Sequence, residues 1–290
     1  MKAELVSSAL PVSTLGEGPH WDARGKKLYW CDIIGRKIHR YDPASGTHDF
    51  CAPPAMPGFA VLDEQGQIVA GLRDGIYRID FSNGSNQCLL RPQYAHPDNR
   101  FNDGKCDRRG RLWGGTMNNN DHSLATGALY RLDERGLHEQ ATNIHISNGL
   151  GWSPDNKIMY YTDTVQRVIW QYDYDLDAGT AHSRRTFVEF KDKGRPDGLC
   201  VDAQGRVLTA QWPGWGIEIY TPDGKPDGRI DLPVPQVSSC AFGGDDLKTL
   251  YITTAAENMD DAGLKEAPLS GRLFAIHMDV AGLPETPYRG

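Results

Sequence analysis

No two of the six cysteines, Cys31, Cys51, Cys88, Cys106, Cys200 and Cys240, stand as a C-x-x-C pair. Their dispersion indicates neither a zinc knuckle nor a dithiol redox motif, and they read as reduced, mostly buried thiols. Also missing is any apolar run approaching the ~20 residues of a membrane span, so no membrane partner is expected. The opening residues Met1-Lys2-Ala3-Glu4-Leu5-Val6 lack the long apolar stretch of a signal peptide, and a cytoplasmic location is expected. Basic charge is scarce and scattered: 31 Lys and Arg against 38 Asp and Glu give a formal net charge of −7, with no basic stripe. Nucleic acid is therefore not an expected partner. No G-x-S-x-G elbow is present, which argues against a serine hydrolase. The absence of G-x-G-x-x-G and of a P-loop argues against nucleotide binding. No segment carries a long, well-capped helical pattern.

What is present is repetition. Short strands rich in Tyr, Ile, Leu and Val alternate with turn residues along the whole chain. The first unit reads Gly18-Pro19-His20-Trp21-Asp22, Lys27-Leu28-Tyr29-Trp30, Lys37-Ile38-His39-Arg40-Tyr41 and His48-Asp49-Phe50-Cys51. Five further units follow, anchored at residues 58, 102, 148, 197 and 239, with successive spacings of 41, 44, 46, 49 and 42 from residue 17. Four strands at this period describe the blade of a β-propeller. The Trp-Asp signature of WD40 blades does not recur. The sixth unit lacks a fourth strand, and only a Pro- and Gly-containing tail follows Met278-Asp279. The strand-like segment 3–10 is available to fill that place. The expectation is an all-β, six-bladed β-propeller forming one domain over residues 1–290, with an N-terminal strand closing the last blade and removing open sheet edges.

Equal phase in such a ring means equal height at the central channel. The six anchors are Glu17, Gly58, Asn102, Asn148, Asp197 and Ser239. An Asn-Gly or Asp-Gly turn accounts for any one of them, but not for four at one phase with Glu17 among them. Two carboxylates facing each other repel unless a cation intervenes. Oxygen ligands suit hard ions such as Ca²⁺, Mg²⁺ or Mn²⁺, and an incomplete protein ligand set leaves positions for water and substrate.

These residues also carry a resemblance. Gly16-Glu17-Gly18-Pro19, Arg100-Phe101-Asn102-Asp103-Gly104-Lys105, Ile146-Ser147-Asn148-Gly149-Leu150 and Pro196-Asp197-Gly198 match, in order, the SMP-30/gluconolactonase family, which includes regucalcin. Ser238-Ser239-Cys240-Ala241-Phe242-Gly243-Gly244 is similar too. The resemblance spans essentially the whole chain. It implies a six-bladed propeller that holds one divalent cation (Ca²⁺, Mn²⁺, Mg²⁺, Zn²⁺ or Fe²⁺) and hydrolyses sugar-acid lactones. It implies Glu17, Asn148 and Asp197 as metal ligands, Asp197 doubling as general base, and Arg100 and Asn102 as substrate contacts. The loop Gly115-Thr116-Met117-Asn118-Asn119-Asn120-Asp121 departs from relatives that often place a carboxylate here. Asn120 is taken from it as a substrate-binding candidate.

The expected reaction is hydrolysis of a five- or six-carbon aldonolactone by a monomer. Alternatives are a broader phosphotriester and lactone hydrolase, and a non-catalytic, regucalcin-like calcium-binding protein. Trp212 and Trp215 are read as pocket wall or inter-blade packing, His20 as a lesser substrate candidate, and Asp32 and Asp163 as structural groups at blade seams.

Overall fold

The computed structural model describes residues 1–191 and 194–290. They form six four-stranded antiparallel sheets. The inner strands of the six blades are Gly16–Asp22, Pro57–Leu62, Asn99–Cys106, Ser147–Trp152, Arg195–Val201 and Val237–Gly243. Each packs against the inner strands of the next and preceding blades, and the sixth packs against the first, so the ring is closed. Burial falls from axis to rim: Ser147–Trp152 is buried throughout, whereas the outermost strand of the same blade, Thr180–Glu189, is largely exposed.

There is no single central core. Six apolar clusters lie one at each seam between neighbouring blades. Between blades three and four, for instance, Trp113 and Leu129 pack on Leu150, Met159 and Tyr161. This arrangement leaves the axis free for polar side chains. Ring closure follows the sequence expectation in kind, though the N-terminal strand is shorter than 3–10: only Glu4–Leu5 pairs with Phe274–His277 as the outer strand of blade six.

One feature repeats at the anchors. In every blade the inner strand carries one more residue than its neighbour at or beside the anchor, a β-bulge. The register shifts lie between Glu17 and His20, Pro57 and Phe59, Phe101 and Gly104, Asn148 and Leu150, Pro196 and Leu199, and Val237 and Ser239. A bulge breaks the two-residue alternation and re-aims a side chain. The ring thus turns six equivalent positions toward the channel mouth.

Five residues further on, the inner strand ends in a tight turn at the opposite face. There Asp63, Asp107 and Asp202 accept backbone N–H groups through Oδ1, and Ser153 does so through Oγ. Gly110 (φ 80°), Asn156 (φ 57°) and Gly205 (φ 83°) supply the left-handed residue of this turn. In blade one that conformation falls on Lys26 (φ 53°), one residue after Gly25.

The C-terminal tail is not a loose end. The backbone of Gly282 donates to Leu247 O, that of Tyr288 to Leu62 O and that of Arg289 to Gly110 O, so the tail crosses the far face from blade six to blades two and three. Its Pro and Gly content conceals this from periodicity, because each residue serves a different blade.

Candidate metal centre and active site

Glu17, Arg100, Asn102, Asn148 and Asp197 are all buried at the start of the inner strands. A chain of hydrogen bonds links blades three, four and five. Arg100 Nη1 donates to Asn102 Oδ1 (2.6 Å), Asn102 Nδ2 to Asn148 Oδ1 (2.6 Å) and to Ser147 O (2.8 Å). Asn148 Nδ2 donates to Thr164 Oγ1 (2.8 Å), and Thr164 Oγ1 to Pro196 O (2.8 Å), the residue before Asp197. The two amides are thereby locked, each with its oxygen turned toward the preceding donor.

The carboxylates are not locked in this way. Glu17 Oε2 accepts the Gly18 N–H at 3.1 Å, and Asp197 Oδ1 is buried without a hydrogen-bond partner among the described residues. Burial first, and the nearby Asp103 second, push Glu17 up to about 8. Burial, then the charges of Glu17 and Asp103, raise Asp197 well above the usual carboxylate range. Asp103, half-buried, is itself pushed up to about 6 by burial. Burial also lowers Arg100 to about 10.

Ion-free, this arrangement is electrostatically frustrated: like charges crowd a low-dielectric channel, and protonation is the one remedy the chain itself offers. A divalent cation is the other, and the donor set fits one. Glu17 and Asp197 supply anionic oxygens, Asp197 Oδ1 has nothing else to bind, and Asn148 Oδ1 keeps its second lone pair. Among the described residues no three His, Cys, Asp or Glu side chains converge as a metal set; this centre is instead two carboxylates and an amide.

The remaining candidates divide. Asn120 is exposed, and it is its neighbour Asn119 that reaches inward, accepting from Arg100 Nε at 2.8 Å. His20 lines the channel interior beside Asp103 and Lys105, and burial lowers its pKa. Asp32 accepts the N–H groups of Thr14, Leu15 and Gly35, and Asp163 those of His145, Ile146 and Val165, so both fasten the inter-blade loops as structural groups. Trp215 is 38% exposed, with its backbone bonded to Pro235 and Leu232. Sequence reasoning missed Asn119, Thr164, the charge of Asp103 and the Lys105–Glu285 ion pair of 3.1 Å farther down the channel. Asn119 alone carried a signal, its place in an amide-rich loop.

Fold and site together define a class: a six-bladed propeller whose channel mouth gathers buried carboxylate and amide oxygens, one of them without a partner among the described residues. The chain belongs to the family described as SMP-30/gluconolactonase/LRE-like region, which matches residues 15–256. It is 38% identical over 281 residues to a 6-deoxy-6-sulfogluconolactonase of Pseudomonas putida, covering 96% of each chain. It is 34% identical over 278 residues to a pentonolactonase of Haloferax volcanii, covering 93% of each. Among solved structures, regucalcin from Agrobacterium tumefaciens, described as a calcium-binding protein, superposes with a TM-score of 0.94 at 27% identity, covering 100% of this chain and 98% of that one.

Proposed function

We propose that the protein hydrolyses a sugar-acid lactone, a five- or six-carbon aldonolactone, to the aldonic acid. The observation that carries this reading is the buried, unpartnered Asp197 Oδ1 facing Glu17 at a channel mouth lined by hydrogen-bonding groups. The lactonase names of relatives over nearly the full chain support it.

Glu17, Asn148 and Asp197 would hold the divalent cation, which when bound supplies Lewis-acid polarisation of the lactone carbonyl. Asp197 takes a proton from the attacking water while the oxygen of that water bonds to the carbonyl carbon. The ring C–O bond then breaks, and the proton returns to the departing ring oxygen to give a hydroxyl. Positioned proton transfer of this kind contributes roughly 10²–10⁴-fold. Arg100, held by Asn119 and Asn102, keeps its Nη2 edge for substrate oxygens. Asn102 fixes Arg100 and Asn148 in register, which sets the distance between substrate and ligand groups. The exposed Asn120 contacts the outer part of the sugar.

The test is acid release from a panel of aldonolactones with purified protein of known metal content. Turnover that disappears with chelator and returns with added divalent cation is expected. Absence of chelator-sensitive turnover on every lactone would overturn the reading.

A further inference from the structure

The loop between the second and third strands of blade six, residues 255–273, is the longest at the mouth face. The equivalent loops are 33–36, 73–74, 119–126, 164–167 and 213–215. It begins two residues after Thr253, which pairs with the small blade-six anchor Ser239. Its base is fixed: Ala255 N donates to Gln236 O and Ala256 N to Thr14 O, each at 3.0 Å. Gln236 Nε2 donates to Glu257 O at 3.1 Å. The strand leading into it touches the site, since a Cβ added at Gly16 would lie 2.7 Å from Thr254 O.

Glu257 is half-buried on this base, and among the described residues its carboxylate has neither a hydrogen bond nor an ion pair. Its charge acts on both Arg100 and Glu17. Blade six lies opposite blade three in a ring of six, so Glu257 and Arg100 belong to opposite sides of the mouth. Arg100 in turn spends Nε and Nη1 on Asn119, Phe101 and Asn102, all neutral acceptors, and among the described residues pairs with no carboxylate. A donor-only group with Nη2 still free and an acceptor-only group without a partner among those residues therefore stand on opposite sides of one opening.

We propose that Glu257 is a specificity-determining residue of the mouth, accepting hydroxyl groups of a polyhydroxylated, uncharged ligand whose other end is held by Arg100. An ionised carboxylate accepts and cannot donate, so it selects hydroxyl donors. It repels a carboxylate, sulfonate or phosphate at that end. The word lactone for this ligand rests on the function proposed above; the recognition of the polyol does not.

The test separates the two. D-glucitol, a polyol that cannot be hydrolysed, is titrated into the metal-loaded protein and its Kd read by NMR. Glucono-δ-lactone and unsubstituted δ-valerolactone are compared by kcat/KM. Glu257→Ala is expected to weaken glucitol about tenfold and to cut the preference for the hydroxylated lactone about tenfold, through KM more than kcat, with an unchanged melting temperature. Glu257→Gln, which keeps an acceptor oxygen, recovers part of both. Glucitol affinity within twofold of wild type in Glu257→Ala overturns the proposal, as does failure of the wild type to bind glucitol. Glucitol binding that depends on Glu257 without turnover of any lactone sustains the proposal and sinks the lactonase reading instead.

Discussion

Buried carboxylates stand at both faces of the ring, and the two faces treat them in opposite ways. At the far face Asp107, Asp202 and Asp63 are each paired with an arginine: Arg111 at 2.6 Å, Arg206 at 2.6 Å and Arg78 at 3.0 Å. Each also caps backbone N–H groups of its turn. Deeper in the channel Lys105 meets Glu285. At the mouth, among the described residues, Glu17 and Asp197 have no cationic side chain bonded to them, and one oxygen is buried without a partner. Burial is comparable at the two ends, so the difference is one of partners. The ion-paired end holds the fold together; the mouth, whose carboxylates lack a cationic partner among the described residues, is the end proposed to hold a cation.

The largest effect expected from breaking this contrast is at Asp197. Asp197→Asn removes the proposed base and an anionic ligand, and activity should fall by at least about 10³-fold. Measured by circular dichroism and thermal melting in chelator, stability should hold or rise, because a crowded negative charge is gone. A large loss of stability with activity per folded molecule retained would invert the assignment. Asp107→Ala is the converse. Its carboxylate accepts from Arg111 Nε, Trp113 Nε1 (3.2 Å) and Tyr174 Oη (2.6 Å), and Tyr174 belongs to the next blade. Stripping it leaves Arg111 without its ion-pair partner, at a cost of about 3–5 kcal/mol. Chemical denaturation should show that loss, with kcat per folded molecule within about twofold of wild type.

The ion-free protein offers a pH test of the mouth. Glu17 stands at about 8 in the folded chain against an ordinary 4.5. The unfolded chain therefore gives up this proton first as pH rises. The stability contributed by the protonated group is complete below pH 4.5 and is lost as pH climbs toward 8. In chelator, melting temperature should decline between pH 5 and 8 by several degrees more than in Glu17→Gln. Excess divalent cation, proposed to be held by the ionised carboxylates, should remove the decline by mass action. Equal slopes for wild type and Glu17→Gln would mean that Glu17 is not strained in the ion-free state.

How much of this was legible beforehand follows the same division. The ring and the phase of Glu17, Asn102, Asn148 and Asp197 were readable because blade period and strand alternation are properties of the chain alone. The six bulges that aim those residues inward were not, because a bulge exists only in the ladder between two strands. Asn119 was passed over in favour of Asn120 because adjacent amides in a loop are equivalent in sequence. Only the folded loop turns Asn119 to Arg100. The tail read as an afterthought, yet Tyr288 packs in the seam between blades two and three, and Glu285 enters the channel to meet Lys105. Single isolated contacts of this kind leave no period to detect.

The smallest expected effect compares two arginines. Arg111 is held by a carboxylate at the far face; Arg100 is held at the mouth by amide and backbone oxygens alone. Neutral acceptors fix the guanidinium plane without cancelling its charge, so direction and attraction are both kept for a ligand. Asn119→Ala removes the acceptor for Nε, a hydrogen bond to a charged group worth about 1.5 kcal/mol. A melting temperature within a degree or two of wild type is expected, because Arg100 keeps Asn102 and Phe101. Michaelis constants for a hydroxylated lactone should rise about tenfold while kcat falls less, since the change loosens the group proposed to hold substrate and leaves Asp197 in place. Asn119→Asp sharpens the point: it restores an acceptor at the same place but brings a negative charge. If neutrality of the partner is what matters, affinity for the lactone should stay below wild type although the hydrogen bond is back. Full recovery in Asn119→Asp would show that Arg100 needs only to be positioned, and that its uncompensated charge has no part in binding.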